Sequence, residues 1–251
     1  MNTDLHGRTA LVTGSTDGIG AAVARALAAE GATVIVSGRD ITRGEKVVAQ
    51  IAERGGSASF ARADLATAAG VHQLAAEAQR SAGGPLDIVV NNAAMLLLPM
   101  PTADVDADVV DQALAVNVRA AFLLTGLLAP AMAARGHGSI VNIGSINGLF
   151  GMSGSALYSA TKAAIHSLTR SWAAEYGPAG VRVNTVAPGP TLTDRVAATM
   201  SERIAPIVAA VPSRRPSTPD EVAQSVVFLA GDGAANIHGA LLSVDGGRAA
   251  V

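Results

Sequence analysis

The feature that most constrains the fold is a regular alternation of short runs rich in Val and Ile with longer Ala-rich stretches. Such alternation predicts an α/β fold, a three-layer, doubly wound parallel sheet of about seven strands with helices on both faces. The run at residues 86–90 is almost entirely apolar, as expected for a strand covered on both faces. Strands are predicted at residues 8–13, 33–37, 58–62, 86–90, 139–143, 181–186 and 241–244. Helices are predicted at residues 19–30, 41–54, 67–81, 108–134, 156–176 and 219–229.

Composition excludes several classes of protein. Of 251 residues, 49% are hydrophobic, so the chain can form a sizeable core and is not intrinsically disordered. Its 18 Lys and Arg nearly balance 20 Asp and Glu, so neither a nucleic acid nor an anionic membrane is an expected partner. The absence of cysteine rules out disulfides and thiolate metal sites. The five histidines lack the spacing of metal ligands, so we expect no metal site.

No linker rich in Pro or Ser divides the chain, so we expect one domain at residues 1–251. The N-terminus carries an acid and no apolar run, and the strongest apolar run, residues 120–134, is too short to span a bilayer. We therefore expect a cytoplasmic protein. Residues 191–219 break the alternation, and their apolar side chains recur at roughly helical spacing. This pattern fits a substrate lid near residues 191–212 and equally an ordinary surface excursion.

A glycine-rich turn follows the first predicted strand and precedes the first predicted helix. Glycines allow a tight turn and let the backbone approach a pyrophosphate, while the helix N-terminus offers free N–H groups and a positive dipole end. A turn of this composition alone is a weak signal, but its position in an α/β sheet predicts a dinucleotide-binding site. The predicted cofactor-binding residues of this loop are Gly14, Ser15, Thr16, Asp17, Gly18, Ile19 and Gly20.

The second predicted strand leads into Ser37-Gly38-Arg39, where an acid would bind the 2′-hydroxyl of an NAD ribose. No acid precedes Arg39 there, and a guanidinium can pair with a 2′-phosphate. Stacking of Arg39 on adenine, or its exposure to solvent, is the alternative. Asp40 is interpreted as a helix N-cap. Asp17 is a counter-argument because an acid disfavours the additional phosphate, yet the balance favours NADP(H) over NAD(H).

Tyr158 and Lys162 lie four residues apart in a predicted helix and therefore share one face. The chain has only two tyrosines and two lysines, which makes this spacing informative. A nearby ammonium favours the phenolate, so we expect the pKa of Tyr158 to fall and its phenol to exchange a proton with a carbonyl oxygen. Lys162 can also hold the ribose hydroxyls. Ser145 follows a strand at the carboxyl edge of the sheet, where its hydroxyl can donate to a developing oxyanion.

These motifs resemble those of the short-chain dehydrogenase/reductase family over essentially the whole chain. The resemblance implies a Rossmann fold and an NAD(P)-dependent oxidoreductase that acts on a carbonyl or secondary alcohol. It implies that the family's catalytic tetrad falls on Asn117, Ser145, Tyr158 and Lys162. In the family this Asn perturbs its helix and holds a water that links the lysine to solvent. The matching positions are Thr13-Gly14-x-x-x-Gly18-x-Gly20, Asp64-Leu65, Asn91-Asn92-Ala93-Ala94, Asn117, Ser145, Tyr158-x-x-x-Lys162 and Pro188-Gly189.

The resemblance also implies further cofactor contacts and an assembly. Ala94 stands where the family usually has glycine, and Asp17 stands where NADP-using relatives often have a basic residue. The tail Asp245-Gly246-Gly247 is similar to a segment that contributes to a tetramer interface in relatives, so a homotetramer is expected. The implied cofactor contacts are Asp64 and Leu65 at the adenine, Asn92, Ala93 and Ala94 after the central strand, and Pro188, Gly189, Thr191 and Thr193 at the nicotinamide.

The expected walls of the substrate pocket, residues 94–98, 147–152 and 192–200, are largely apolar and predict a small hydrophobic ketone, aldehyde or secondary alcohol. The alternative substrate is a ketoacyl group on an acyl carrier protein, for which Arg119 and Arg195 are candidate docking residues. A nucleotide-binding regulator without turnover is a second hypothesis, and an epimerase or dehydratase is a third. His166 is interpreted as a packing or interface residue rather than a second base. The predicted substrate contacts are Met95, Ser145, Asn147, Met152 and Tyr158.

Overall fold

The computed structural model describes residues 4–194, 196–198 and 207–251. In this part of the chain, seven parallel strands form one sheet in the order β3-β2-β1-β4-β5-β6-β7. The predicted α/β class with a doubly wound parallel sheet is therefore confirmed. The strands are β1 (Thr9–Val12), β2 (Thr33–Gly38), β3 (Ser57–Arg62), β4 (Ile88–Asn91), β5 (Gly138–Ile143), β6 (Val181–Pro188) and β7 (Leu241–Val244). The helices are α1 (Gly18–Ala29), α2 (Ile41–Ala52), α3 (Ala68–Ala82), α4 (Ala107–Leu114), α5 (Ala120–Arg135), α6 (Ala156–Tyr176) and α7 (Pro219–Ala230).

Helices cover both faces of the sheet. α1, α2 and α7 pack on one face, where Leu27 and Val226 belong to a continuous apolar core. α3, α5 and α6 pack on the other face, where Leu74 and Leu124 belong to a second core. Since both faces of the central strands are covered, these strands are mostly apolar, and every residue of β6 is buried.

The strand order reverses at β1, which pairs with β2 on one side and with β4 on the other. The chain passes from β1 outward through β2 to β3, then returns to β4 and continues outward to β7. In open parallel sheets the crevice at such a reversal, outside the carboxyl ends of the strands, is where ligands bind. The segments that follow β1 and β4 meet at this crevice.

Aspartates cap the N-termini of two helices, and one of them, Asp40, is the predicted cap. The Arg43 N–H donates to the Asp40 side chain at 3.0 Å, so Asp40 caps α2 as expected. The Gly18 N–H donates to the Asp17 carboxylate at 2.7 Å at the start of α1. Element bounds differ slightly from the predicted ones; β4, for example, begins at Ile88 rather than at residue 86.

The longest helical stretch, Ala107–Arg135, runs through α4, a π-helical turn at Ala115–Arg119, and α5. Its length and apolar composition alone would allow it to cross a membrane. This corrects the expectation of too short a run, because the helix begins well before residue 120. Leu124, Leu128 and Met132 are buried in the core beneath the sheet, so packing within the protein accounts for much of the apolar character of α5.

A buried chain of polar side chains fixes α6 against the sheet. Asn91 Nδ2 donates to Asn142 Oδ1 at 2.8 Å, and Asn142 Nδ2 donates to Thr169 Oγ1 at 2.8 Å. The hydroxyls of Thr169 and Thr185 lie 2.7 Å apart. Buried polar groups are costly unless paired, so these bonds favour one position of α6 relative to β4, β5 and β6. That helix carries two of the predicted catalytic residues, Tyr158 and Lys162.

Candidate active site

A cleft of about 1020 Å³ opens at the carboxyl ends of the central strands. It joins the glycine loop after β1 to the ends of β2, β4, β5 and β6 and to the first turns of α6. Of the predicted site residues, Ser15 and Asn117 do not line it. The predicted residues that do line it are Gly14, Thr16, Asp17, Gly18, Ile19, Gly20, Arg39, Asp64, Leu65, Asn92, Ala93, Ala94, Met95, Ser145, Asn147, Met152, Tyr158, Lys162, Pro188, Gly189, Thr191 and Thr193.

The glycine loop approaches the chain after β4 more closely than side chains would allow. Gly14 has a φ of +62°, and a Cβ atom there would lie 2.8 Å from Ala93 Cα. A Cβ atom on Gly20 would collide with the Gly14 carbonyl. The loop therefore presents bare backbone and the N-terminus of α1 to the cleft. This cradle fits the phosphates of a dinucleotide, since free N–H groups and the helix dipole favour an anion there.

Thr13 and Asn92 tie the two sides of the cradle together. Asn92 Nδ2 donates to the carbonyl oxygens of Thr13 at 2.8 Å and of Gly14 at 3.0 Å. Thr13 Oγ1 accepts from the N–H groups of Asn92 at 3.0 Å and of Ala93 at 3.1 Å, and it donates to the Val90 carbonyl at 3.2 Å. The Asn92 side chain thus holds the loop in place in addition to lining the cleft.

Ser15 supports the loop from behind, which differs from its predicted contact with the cofactor. Its hydroxyl is fully buried, donates to the Val12 carbonyl at 2.6 Å and accepts from the Ser37 N–H at 2.9 Å. Its own N–H donates to the Ser37 carbonyl at 2.9 Å. These three bonds join the loop to β1 and β2, and the residue pattern of the loop does not reveal in which direction this hydroxyl points.

Two arginines and two acids surround the end of β2. Arg39 lines the cleft as predicted, and Arg43, which the sequence analysis did not single out, lines it one helical turn away. Arg43 Nε donates to Asp40 Oδ2 at 2.8 Å, and Arg43 Nη1 lies 3.8 Å from Asp17 Oδ2. The charge of Asp17 is therefore offset by Arg43 and by the N-terminus of α1. The spacing of four residues between the two arginines was the available sequence signal.

Tyr158 and Lys162 lie on one face of α6 in the middle of the cleft. Lys162 Nζ is 5.7 Å from the centre of the Tyr158 ring and donates to the carbonyl of Ile143, the last residue of β5, at 2.8 Å. Lys162 is buried, and burial lowers its pKa from 10.5 to about 8. The amine therefore changes charge close to neutral pH.

The pKa of Tyr158 shifts in the direction opposite to the sequence-based expectation. Removal of its phenol from water raises the pKa, and a hydrogen bond with the Ser145 side chain opposes this rise without cancelling it. The Lys162 ammonium donates to the Ile143 carbonyl, and the hydrogen bond with Ser145 is the contact that lowers the pKa of Tyr158. In this arrangement Tyr158 is a protonated phenol, and Ser145 rather than Lys162 moderates its pKa.

Ser145 lies just beyond β5, with His166 of α6 packed beneath it. His166 Nε2 accepts from the Ser145 N–H at 3.5 Å, and its ring occupies the space that Cβ atoms on Gly144 and Gly148 would fill. Burial, together with the charge of Lys162, lowers the pKa of His166 to about 4. The imidazole is therefore neutral at physiological pH and packs beneath Ser145, which agrees with the packing interpretation.

Asn117 lies in the π-helical turn between α4 and α5 and joins the substrate wall to α6. Its Oδ1 accepts from the Met95 N–H at 2.6 Å, while its Nδ2 donates to the Met95 carbonyl at 3.2 Å and to Thr161 Oγ1 at 3.3 Å. Asn117 and Lys162 both line a void of about 10 Å³, which is close to the smallest space that can hold one water molecule. The π-helical turn is the helix perturbation that the resemblance implied at this residue.

We call the part of the cleft at the glycine loop its inner half and the part beyond Tyr158, towards Met95 and Met152, its outer half. The outer half is largely apolar. The predicted substrate contacts Met95, Asn147 and Met152 line it. Phe150 and Arg248 line it as well, and the Arg248 guanidinium carbon lies 5.2 Å from the centre of the Phe150 ring. Phe150 belongs to the predicted wall at residues 147–152, whereas Arg248 was not predicted, because no spacing or motif relates the C-terminal tail to this wall.

The described ends of the predicted lid border the cleft. Thr191, Thr193 and Val196 line it on one side of the lid segment, and Ile207 and Ala210 on the other. Arg195 and residues 199–206, which include the predicted wall residue Met200, lie outside the described residues.

The chain matches a family model described as enoyl-(acyl carrier protein) reductase over residues 14–249. It is 38% identical over 245 residues to cis-4-hydroxycyclohexanecarboxylate dehydrogenase of Sinomonas cyclohexanicum, and the match covers 97% of each chain. It is 36% identical over 254 residues to cyclopentanol dehydrogenase of a Comamonas species, and this match covers 98% of each chain.

Solved structures share the architecture over nearly the whole chain. A short-chain dehydrogenase/reductase family protein is 46% identical with a TM-score of 0.91, over 99% of this chain and 100% of that one. A 3-oxoacyl-(acyl-carrier-protein) reductase from Agrobacterium tumefaciens C58, solved with NADP bound, is 36% identical with a TM-score of 0.91, over 97% and 95% of the two chains. These likenesses support a nicotinamide dinucleotide as the cofactor.

We expect Lys162 to titrate near pH 8, because burial disfavours its ammonium. The only lysines are Lys46 and Lys162, so protein labelled with ¹³C-lysine gives two Cε signals to follow by NMR against pH. Lys162→Arg should remove the signal that titrates near pH 8, and Lys46→Arg, which alters an exposed lysine, should retain it. A Lys162 signal that titrates only near the ordinary value of about 10.4 would show that burial does not control its charge.

Proposed function

The chain belongs to the short-chain dehydrogenase/reductase family, and we propose that it interconverts a small alicyclic ketone and the corresponding secondary alcohol with NADP(H). It is an NAD(P)-dependent oxidoreductase. One observation carries the proposal. Tyr158, Ser145 and Lys162 meet in the middle of a cleft whose inner half fits a dinucleotide and whose outer half is apolar.

The cofactor fits the inner half of the cleft. The bare backbone of Gly14 and Gly18 at the N-terminus of α1 would hold its pyrophosphate. Asp64 lines the cleft where it would contact the adenine, and Thr191 and Thr193 line it where they would contact the nicotinamide, as the family resemblance implies. A nicotinamide held there would supply the hydride for a carbonyl carbon, or take up the hydride of a carbinol carbon in the opposite direction.

Tyr158 moves the proton that accompanies the hydride. Burial keeps its phenol protonated, so in the reductive direction the phenol donates its proton to the carbonyl oxygen. The Ser145 hydroxyl donates a hydrogen bond to the same oxygen as negative charge develops there. Lys162, with a pKa of about 8, supplies positive charge close to the phenolate that remains. In the oxidative direction the phenolate takes the hydroxyl proton of the alcohol.

An alicyclic substrate agrees with the apolar outer half and with the two curated relatives, whose names give ring alcohols of five and six carbons. Met95, Phe150 and Met152 offer apolar surface, and burial of a ring against such surface is favourable. Asn147 lies among them as a hydrogen-bonding group. The outer half therefore suits a compact ring better than an extended sugar chain.

Two other functions are less favoured. A regulator without turnover needs no proton donor, whereas Tyr158, Ser145 and Lys162 converge here. The matching family model is described as an enoyl-(acyl carrier protein) reductase, which brings an acyl carrier protein into question as the substrate carrier. Such a carrier protein needs basic docking groups on the enzyme. Of the two candidates, Arg119 donates to the Ala66 carbonyl at 2.6 Å, and Arg195 lies outside the described residues. A free small molecule is the better supported substrate.

The preference for NADP(H) over NAD(H) rests on the arginines at the end of β2. Arg39 lines the cleft without an acid within ion-pair distance among the described residues, so its guanidinium is available for a 2′-phosphate. The main objection was Asp17, whose charge is offset by Arg43 at 3.8 Å. Arg43 then adds a second cation to the same end of the cleft.

We propose a cytoplasmic homotetramer. Reduced nicotinamide cofactors are supplied inside the cell, which supports the location. An apolar groove along α4, α5 and α6 leaves Leu114 and Phe122 about half exposed, and the edge strand β7 exposes Leu242 beside the C-terminal tail.

Light scattering of the purified protein should give four times the chain mass, and a monomer at micromolar concentration would contradict this assembly.

Tyr158→Phe keeps the ring and removes the proton donor. With cyclohexanone and NADPH, we expect kcat to fall by a factor on the order of 10²–10⁴, because general acid catalysis is lost. Tyr176→Phe, at a tyrosine outside the cleft, should retain the wild-type rate. Undiminished turnover by Tyr158→Phe would refute the mechanism, and a wild type that binds NADPH but reduces no ketone would favour the regulator.

Arg39→Ala should weaken the binding of NADPH by roughly 10- to 100-fold and the binding of NADH much less, because a charge-assisted pair with the 2′-phosphate is lost. Quenching of the fluorescence of the single tryptophan, Trp172, measures both affinities. An equal loss for both cofactors would show that Arg39 stacks on the adenine instead. Unchanged affinity for both would show that it faces solvent.

A further inference from the structure

Arg248 places a cation in the apolar half of the cleft. It lies in the turn that follows β7, is partly buried, and lines the same cleft as Tyr158 and Ser145. The residues predicted to form this part of the cleft are largely apolar. The proposed reaction of a ketone and an alcohol makes no use of this charge, so its presence in the substrate half requires a separate explanation.

The turn that carries Arg248 is rigidly held. The buried carboxylate of Asp245 accepts from the N–H of Gly247 at 3.0 Å and from the N–H of Ala249 at 2.7 Å, on either side of Arg248. Gly246 and Gly247 have φ values of +64° and +89°, which glycine adopts readily and other residues rarely do. The Arg248 side chain therefore starts from a fixed point on the cleft wall, which lowers the entropic cost of using it to bind a ligand.

The Arg248 guanidinium is stacked on an aromatic ring and has no side-chain carboxylate beside it among the described residues. Its carbon lies 5.2 Å from the centre of the Phe150 ring, within cation–π distance. Its Nη1 donates at 3.3 Å to an oxygen of Val251, the exposed last residue of the chain, and this bond uses one of the five N–H donors of the guanidinium. No Asp or Glu side chain in the described ranges lies within 4.0 Å of it. Stacking against one ring face leaves the in-plane N–H donors, which are those that bind carboxylates.

Charge is distributed unevenly along the cleft. Lys162 lies in the middle, and among the described lining residues Arg248 is the charged side chain of the outer half. A cation beside apolar walls is most stable when a counter-charge accompanies it. The outer half is therefore suited to a ligand that is apolar in its body and anionic at one end. The charged residues at the dinucleotide end are Asp17, Asp40, Asp64, Arg39 and Arg43.

We propose that Arg248 binds a carboxylate on the substrate, so that the enzyme interconverts an alicyclic hydroxy acid and its oxo acid in preference to a neutral ring alcohol and ketone. This inference rests on the proposed function and narrows its substrate class. The planar guanidinium matches the two oxygens of a carboxylate. The ring then lies against the apolar wall that includes Met152 and Phe150, with the reacting carbon at Tyr158 and the carboxylate at the other end.

A matched pair of ketones tests the proposal. 4-Oxocyclohexanecarboxylate and its amide, 4-oxocyclohexanecarboxamide, have nearly the same shape and differ in charge. With NADPH, the wild type should reduce the carboxylate with the higher kcat/KM. Arg248→Met should lower the ratio of the two kcat/KM values by a factor on the order of 10–100, chiefly through KM, because a charge-assisted pair is lost. Arg248→Lys should retain part of the preference.

The controls separate this inference from the proposed function. Arg54→Met removes one positive charge from an exposed position outside the cleft and should leave the ratio unchanged. An equal loss for both ketones in Arg248→Met would overturn the proposal, since Arg248 would then only support Phe150. A wild type without preference for the carboxylate would also overturn it while the proposed function stands. Failure of the wild type with both ketones and with cyclohexanone would overturn the proposed function and this inference together.

A binding measurement gives a readout independent of turnover. Cyclohexanecarboxylate, which has no carbonyl to reduce, should bind to the protein saturated with NADP⁺ more tightly than cyclohexanecarboxamide does, and calorimetry measures both. Arg248→Met should abolish the difference while Arg54→Met retains it. Thermal unfolding of each variant establishes that it is folded, and equal binding of the two compounds by the wild type would contradict the proposal.

Discussion

The pairing of Thr13 with Asn92 is the interaction on which the rest of the site depends. A doubly wound sheet creates a crevice where the chain leaves the neighbouring strands β1 and β4 towards opposite sides of the sheet. Nothing in that topology alone holds the two following loops together. The Asn92 amide and the Thr13 hydroxyl do so through hydrogen bonds to backbone on both sides. Because Gly14 lies against Ala93 without a side chain between them, the loop is fixed before any ligand arrives. A preorganised cradle of N–H groups needs little rearrangement when phosphates bind.

Burial of Lys162 and Tyr158 shifts their two pKa values in opposite directions, and both shifts favour the neutral form. The buried ammonium is costly, and its bond to the Ile143 carbonyl offsets part of that cost. The same burial brings the lysine pKa to about 8, so its proton is exchangeable near neutral pH. The phenol keeps its proton until a carbonyl oxygen beside Ser145 gains negative charge. Tyr158 therefore donates its proton only when a substrate oxygen is present to accept it.

Much of the fold and of the reaction chemistry could be predicted because both depend on patterns of residues that are close together in the sequence. Alternating apolar runs predicted the sheet, Asp40 was recognisable as a cap, and the four-residue spacing of Tyr158 and Lys162 placed both on one helix face. The errors arose where the outcome depends on packing. The direction of the Ser15 hydroxyl and the rise in the Tyr158 pKa depend on burial, which residue spacing does not report. Arg248 reaches Phe150 only through the folded C-terminal turn.

The distribution of charge along the cleft also bears on how a substrate is oriented. The phosphates of a dinucleotide bound at the glycine loop would bring negative charge to the inner half and repel a second anion there, whereas Arg248 would attract one at the outer end. A ring with one carboxylate then has a favoured direction of entry, with its anion outward and its oxygen towards Tyr158 and Ser145. A neutral ring has no such bias and must rely on shape against the wall that includes Met152 and Phe150. Electrostatic orientation of this kind acts before the apolar contacts form, because charge acts over longer distances than packing does.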